Sequence, residues 1–381
     1  MSRERIYLDN NATTQILPEV ADTMAVTWQT AFANPGSQHS FGRDARPVLD
    51  RCRDTIAGIL GADPPEVIFT SGGTESINAA IYGLTLGRTG AIALTAGEHP
   101  ATIAGCERAR QAGLKLIALD VDAAGRLLDN QLDDLPWDVL KLVTVILAHN
   151  ETGVIQDLSK LSELCEKQQV PLLIDAVQAV GKIPVNFHEL KATALAFGAH
   201  KFHGPRGVGG LLLRRGVPLP PLLDGGHQES GRRAGTEPVP LIAGMTTALE
   251  LFAADQPMHV NHVRRLRDQL QSHLQLHCGS TVVHGIDASR LPNTLSIAFP
   301  GLSGEAILVN LDLEGVACSL GSTCASGSAE PAPALLAMGC EADVCLSSVR
   351  FSVSRQNTSA EIAEAARRIQ DVIGRLRSLP S

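Results

Sequence analysis

Aromatic side chains are scarce in this chain: nine Phe, two Trp and two Tyr make up 3% of its 381 residues. Any core must therefore rest on Leu, Val, Ile and Ala. Basic residues are outnumbered, 32 Lys and Arg against 40 Asp and Glu, and the net charge of −8 argues against a nucleic-acid-binding role. No apolar run approaches the ~20 residues needed to span a bilayer, so no membrane partner is expected. The stretch from Met1 to Asp9 lacks the apolar core of a signal peptide, and the expectation is a cytoplasmic protein. Eight cysteines (Cys52, Cys106, Cys165, Cys278, Cys318, Cys324, Cys340 and Cys345) are scattered without a Cys-x-x-Cys pair. That excludes a zinc site and a secreted disulfide framework, and most of them read as reduced thiols acting as small apolar residues. Internal repeats and low-complexity segments are also absent.

What remains is ordinary for a globular protein: 44% hydrophobic and 19% charged residues. At roughly 150 residues per domain the length suggests two or three domains with ample core. From about 56 to 215, short apolar runs alternate with amphipathic segments. Candidate strands are 67–70, 91–94, 114–119, 142–147, 171–174, 194–197 and 210–213. Several are nearly continuous apolar runs, as expected for strands buried on both faces of a mostly parallel α/β sheet. The segment 253–257 looks like a boundary. Beyond it a helix over about 258–277 leads into a second α/β region, with strands at 295–299 and 349–353 and helices at 304–312 and 359–378.

A parallel sheet binds ligands at the carboxyl ends of its strands. Polar residues follow five of these strands: Ser71 to Ser76, Glu98-His99, His149 to Gly153, Asp175 with Gln178, and His200-Lys201. They point to one cleft. Ser71-Gly72-Gly73-Thr74 suits a phosphate cradle at a helix N-terminus. It lacks the Gly-Lys-Ser/Thr ending of a P-loop, and it also reads as a plain capping-box-like helix start. Asp175 ends an apolar strand and needs a partner if buried. A pyridinium nitrogen would serve, and so would the amides of a helix start. His99 could stack on a flat ring and shuttle protons, or be structural.

Lys201 sits between an apolar strand and a Gly-Pro turn, beside His200 and His203. A partly desolvated amine there is a better imine former. Cys324 lies among Gly, Ser, Thr and Ala, a composition of exposed loops, where a thiol can be reactive. Cys318 is close enough in sequence to leave a structural or disulfide reading open, and Cys340 and Cys345 read as structural. Arg350, in a strand-like stretch, could grip a carboxylate bidentately or make a routine ion pair.

Taken together the motifs resemble the cysteine desulfurases of the nitrogen-fixation and iron–sulfur-cluster type, which are class-V, fold-type-I pyridoxal-phosphate enzymes. The resemblance runs nearly end to end. It is carried by Tyr7 to Thr14, Asn34 to Gly42, Thr70 to Ser76, Glu98-His99-Pro100, Asn150 to Gly153, Asp175 to Lys182, His200-Lys201, Gly225 to Glu229, Arg232 to Glu237, the Cys324 loop and Ser348 to Ser352. It implies a large domain over 15–255, with a mostly parallel seven-stranded sheet between helices. A smaller α/β domain, from 1–14 and 256–381, would carry the Cys324 loop.

It implies roles as well. Lys201 would hold pyridoxal 5'-phosphate as a Schiff base, with Asp175 on the pyridine nitrogen, Gln178 on the ring oxygen and His99 stacked on the ring. Gly73, Thr74 and His200 would bind phosphate, together with Thr236 from the other subunit of a homodimer. Asn150 would touch both cofactor and substrate. Asn34 and Arg350 would help hold L-cysteine. Lys201 would move the α-proton, and Cys324 would take the sulfur as a persulfide and pass it to an iron–sulfur scaffold or another acceptor protein. No resident metal is implied, although Cys324 could transiently ligate a cluster.

The chain departs from the family pattern in places. Ser319-Leu320-Gly321-Ser322-Thr323-Cys324-Ala325 stands where Ser-Ser-Gly-Ser-Ala-Cys-Thr is usual. Gly198 replaces a serine that bonds the phosphate, Arg206 replaces a lysine and Ser230 an arginine. Two other readings stay open: a selenocysteine lyase or another class-V lyase or aminotransferase, and a non-catalytic binding protein that keeps the fold.

Overall fold

The computed structural model describes residues 4–320, 322–323 and 330–378. Seven strands form the larger sheet, in the order Val67–Thr70, Gly209–Leu213, Ala194–Gly198, Leu172–Asp175, Leu140–Ile146, Ala91–Thr95 and Lys115–Leu119. Every neighbouring pair is parallel except the two made by Gly209–Leu213, which runs against both its partners.

The near-continuous apolar runs have a direct cause, because alternate residues of each strand enter different cores. Phe69, Val143, Val145, Ile174, Leu195, Phe197 and Leu212 pack into one cluster. Ile68, Leu142, Leu173, Ala194, Ala196 and Leu211 pack into another on the opposite face. With both faces covered by helices, each fully buried Leu, Ile, Val or Phe contributes about 1.5–3 kcal/mol of transfer free energy. In the inner strands period-2 polarity is absent because neither face meets water.

The second sheet is antiparallel, in the order Ser319–Leu320, Ser348–Ser352, Thr294–Ala298 and Val282–Val283. A separate apolar cluster surrounds it, including Leu295, Ile297, Phe299, Val349 and Phe351. The helices Gln256–His277, Gly304–Leu313 and Ser359–Ser378 pack over this region. The expected break at 253–257 is a junction between two helices, Val239–Ala254 and Gln256–His277, at Asp255 (φ −137°).

The N-terminus ties the two sheets together. Ile6–Tyr7 pairs in parallel with Val316–Ala317, and Ile6 and Leu8 join the second core. The chain then crosses to the larger sheet, where Thr14 Oγ1 donates to the main-chain oxygen of His200 (2.9 Å). Among the described residues no helix is long and apolar enough to cross a membrane.

Candidate active site

A cavity of about 620 Å³ opens at the carboxyl ends of the parallel strands, lined on one side by the larger sheet and on the other by Cys318, Ser319, Leu320 and Arg350 of the second. Its size lies within the range of small-molecule sites. All five strand ends singled out from the sequence reach it, through Gly73 and Thr74, His99, Asn150, Asp175 with Gln178, and His200 with Lys201.

Two glycines shape the end of the cavity where the helix Gly73–Thr85 begins. A Cβ on Gly73 would lie 2.5 Å from Val177 Cγ2, and one on Gly198 would lie 3.2 Å from Gly73 N. Gly72 offers no side-chain cap to that helix, and the unpaired first amides of a helix start, here at Gly73 and Thr74 in the cavity wall, suit an anion. The capping-box-like alternative is present too. Glu75 Oε2 accepts from Ser71 N (2.8 Å), and Arg233 Nε holds Glu75 Oε1 at 2.9 Å. The bond to Ser71 secures the turn and leaves the amides of Gly73 and Thr74 free.

Asp175 is buried, at 2% exposure. Its Oδ1 accepts from Val177 N (2.9 Å). Burial pushes its carboxyl up to about 6, even though that bond and the Lys201 charge pull the other way. A carboxylate so placed is stabilised by a cation brought into the cavity. His99 caps the helix Pro100–Gln111, with Nδ1 accepting from Ala101 N (3.1 Å), and its ring still lines the cavity. Burial, then the charge of Lys201, holds it down to about 4, so the imidazole is neutral and suited to lie against an aromatic ring. His200 is likewise pushed down to about 4 by burial and by Lys201.

Lys201 follows the last residues of the strand Ala194–Gly198 in a short 3-10 turn. Its Nζ donates to the main-chain oxygens of Asn11 (2.7 Å) and Ala12 (2.8 Å). Burial first, and Arg350 second, lower its pKa from 10.5 to about 8. Arg350 projects from the central strand Ser348–Ser352. Nη2 meets Asp9 Oδ1 at 2.8 Å, and Nη1 meets the main-chain oxygen of Asn150 (3.1 Å) and Glu151 Oε1 (3.3 Å). Its Nε is buried and has no partner, as is Glu151 Oε2.

Other expected residues fall elsewhere. Asn34 is exposed, caps a turn by accepting from Gly36 N (2.8 Å), and does not line the cavity. Thr236 is exposed and outside it as well. Cys324 lies outside the described residues. Cys318 lines the cavity, but burial and the nearby Asp9 push its thiol up to about 12. Cys340 and Cys345 sit in a small apolar cluster with Leu335 and Met338, in keeping with a structural role.

Two residues, one in the cavity wall and one behind it, receive no role from the sequence although both lie in motifs that carry the resemblance. Asn11 supplies the carbonyl that Lys201 meets, and Lys182, at 6% exposure, lies behind Gln178. The four-residue spacing from Gln178 to Lys182, which puts both on one side of a helical turn, was the available clue to the latter.

The set of groups fits pyridoxal phosphate. It combines an anion cradle at a helix start, a buried carboxylate with a free oxygen, a neutral imidazole wall and an amine of lowered pKa in one cavity. The comparisons agree. The family described as aminotransferase class-V matches residues 6–364. A cysteine desulfurase from Trichormus azollae is 40% identical over 376 residues, covering 98% of this chain and 94% of that protein. A cysteine desulfurase IscS from Dictyoglomus turgidum is 37% identical and covers 100% of this chain and 97% of its own. Among solved structures, a NifS-like protein superposes with a TM-score of 0.92 at 32% identity, covering 98% of this chain and 100% of its own. The fold is thus the fold-type-I one that the motifs implied. The chain belongs to the class-V aminotransferase family, and the relatives it matches there are cysteine desulfurases.

Proposed function

We propose that this chain is a pyridoxal-phosphate-dependent cysteine desulfurase that converts L-cysteine to L-alanine and keeps the sulfur as a persulfide on Cys324. The observation that carries the reading is the placement of Lys201, with its pKa lowered to about 8, in one cavity with Asp175 and Arg350.

In this reading Lys201 would hold the cofactor covalently and Asp175 would pair with its ring nitrogen. Gln178 would serve the ring oxygen and the neutral imidazole of His99 the ring. Gly73, Thr74 and His200 would receive the phosphate, without a hydroxyl from Gly198. When bound, pyridoxal phosphate supplies an electron sink for charge developing at the substrate α-carbon.

The chain's own groups do the rest. Arg350 and Asn150 orient the substrate carboxylate. Lys201, neutral in a useful fraction of molecules near pH 8, takes the proton from the α-carbon and returns one nearby. The thiolate of Cys324 attacks the substrate sulfur. The bond between that sulfur and the β-carbon breaks, and L-alanine leaves once the carbon fragment has taken up protons. The sulfur stays on Cys324, ready for an iron–sulfur scaffold or another acceptor protein.

A division into a large domain (15–255) and a small one (1–14 with 256–381) belongs to the same proposal, supported by the separate apolar clusters of the two sheets. So does a cytoplasmic homodimer. Trp28 and Phe32 are exposed at 56% and 63%, Phe41 at 58%, and the rings of Phe32 and Phe41 are 5.7 Å apart. An apolar patch of this kind marks an interface, and a partner there would bring Thr236 to a cavity that its own chain does not place it in.

The test is conversion of L-cysteine by the purified, cofactor-loaded protein. With a thiol reductant present alanine and sulfide should appear, and without it mass spectrometry should find one added sulfur on the Cys324 peptide. Unchanged turnover in Cys324→Ala would sink the desulfurase reading in favour of another class-V reaction.

A further inference from the structure

Lys182 is a deeply buried cation behind the site, at 6% exposure, and the reaction as described gives it nothing to do. Its Nζ donates to Asn11 Oδ1 (2.8 Å) and to Gln178 Oε1. An amine of this kind offers donors to both amides, so each must turn its oxygen toward it.

The consequences run outward from there. With Oε1 held by Lys182, the amide nitrogen of Gln178 is directed away from it, and it donates to the main-chain oxygen of Asn11 (2.9 Å). That same carbonyl receives Lys201 Nζ (2.7 Å). With Asn11 Oδ1 held by Lys182 and by Asn293 Nδ2 (2.9 Å), Asn11 Nδ2 donates to Thr294 Oγ1 (2.9 Å) and to the main-chain oxygen of Asn150 (3.1 Å). One buried amine therefore orients two amides. Both residues line the cavity, and Asn11 also meets the carbonyl of Asn150, which lines it too.

We propose that Lys182 is a positioning residue: it fixes the Gln178 amide so that an N–H, not the carbonyl oxygen, faces the cofactor's ring oxygen. The inference rests on the reading that Gln178 meets that oxygen. Lys182 does not itself line the cavity, and toward the ring oxygen it acts through Gln178. Burial, reinforced by the charges of Lys201 and Arg350, lowers its pKa well below the ordinary lysine value. The role survives this, because a neutral amine still donates two N–H bonds.

A donor on the ring oxygen stabilises the more negative form of the bound cofactor. Removing it should move the pH midpoint of the cofactor's visible absorbance upward. The groups that titrate or carry charge around this unit are Lys201 and Arg350, which repel Lys182, His200 and His203, which feel its charge, and His99, Asp175 and Glu151 across the cavity. They are the same in every variant below.

The experiment is a spectrophotometric pH titration of the cofactor-loaded protein as four forms: parent, Gln178→Ala, Lys182→Met and the double variant. The expected result is an upward shift of about one pH unit in Gln178→Ala and a shift of at least half that in Lys182→Met, with the double variant matching Gln178→Ala. Shifts that add would mean that Lys182 acts through space by its charge, and no shift in Lys182→Met would mean that it is structural only. Either overturns the inference while leaving the cofactor reading intact. No shift in Gln178→Ala, or no absorbance band in the parent, would instead fell the reading on which it rests. Should Lys182→Met fail to fold, Lys182→Gln, which is too short to reach both amides, takes its place in the same cycle.

Discussion

Arg350 Nη2 is 2.8 Å from Asp9 Oδ1, while Nε of the same guanidinium, buried in the wall of the cavity, has no partner. A buried donor left unmade costs about 1–3 kcal/mol, and a substrate carboxylate would satisfy it. We expect Arg350→Ala to lower kcat/KM for L-cysteine on the order of 10²-fold, equivalent to roughly 3 kcal/mol, mainly through KM. Asp9→Asn, which keeps the guanidinium, should lose far less. Initial rates of alanine formation over a range of cysteine concentrations decide it, and parental kinetics in Arg350→Ala would reduce the residue to an ion pair.

Lys201 gives a pH dependence of known sign. Burial and the Arg350 charge both penalise its ammonium, so the neutral amine prevails above about pH 8 instead of above 10.5. Cofactor addition to the apoprotein needs that neutral amine. The rate at which the visible band grows should rise with pH through about 8 and level off above it. A rate still climbing toward pH 10 would contradict the lowered value.

The glycine cradle can be altered in both directions. A Cβ on Gly73 meets Val177 Cγ2 at 2.5 Å, so Gly73→Ala should crowd the anion site and speed cofactor loss about tenfold. Gly198 has extended backbone (φ −141°), and a Cβ there comes within 3.2 Å of Gly73 N, which a few tenths of an ångström relieves. Gly198→Ser therefore adds a hydroxyl beside the cradle and should slow cofactor loss by up to about tenfold, the size of one hydrogen bond to a charged group. Dialysis against cofactor-free buffer, followed by absorbance, measures both rates.

Cys318 and Cys324 should behave differently. Cys318 lines the cavity, but its pKa of about 12 keeps it protonated and poorly nucleophilic at neutral pH. Cys318→Ala should retain alanine formation within about twofold, whereas Cys324→Ala should abolish it. Sulfur recovered by mass spectrometry on Cys318 would reverse the assignment.

How far the sequence carries is clear from particular residues. His99, Asp175 and Lys201 were legible because each follows an apolar run and a parallel sheet collects such positions at one edge. The direction of Gly209–Leu213 was not. With both faces buried its residues form an unbroken apolar run, identical for either orientation. Asn11 escaped for a different reason: Lys201 and Gln178 meet its main-chain oxygen, a group that every residue owns, across 190 and 167 positions. Lys182 was hidden because its partners are amide oxygens, and no residue of opposite charge marks where a buried amine finds only acceptors.

The N-terminal crossing sets an order of assembly. Asn11 N is held by Ser352 Oγ at 2.8 Å, 341 positions later, and Asn10 Nδ2 by the main-chain oxygen of the same residue at 2.7 Å. During synthesis the first turn of chain to leave the ribosome must wait for nearly the last before it can settle. Contacts that distant form late. The larger sheet can be complete, with Lys201 already in its turn, while Asn10 and the main-chain N–H of Asn11 still lack the partner that Ser352 supplies. A ribosome stalled before residue 352 would thus display a folded sheet whose N-terminal segment is held from one side only.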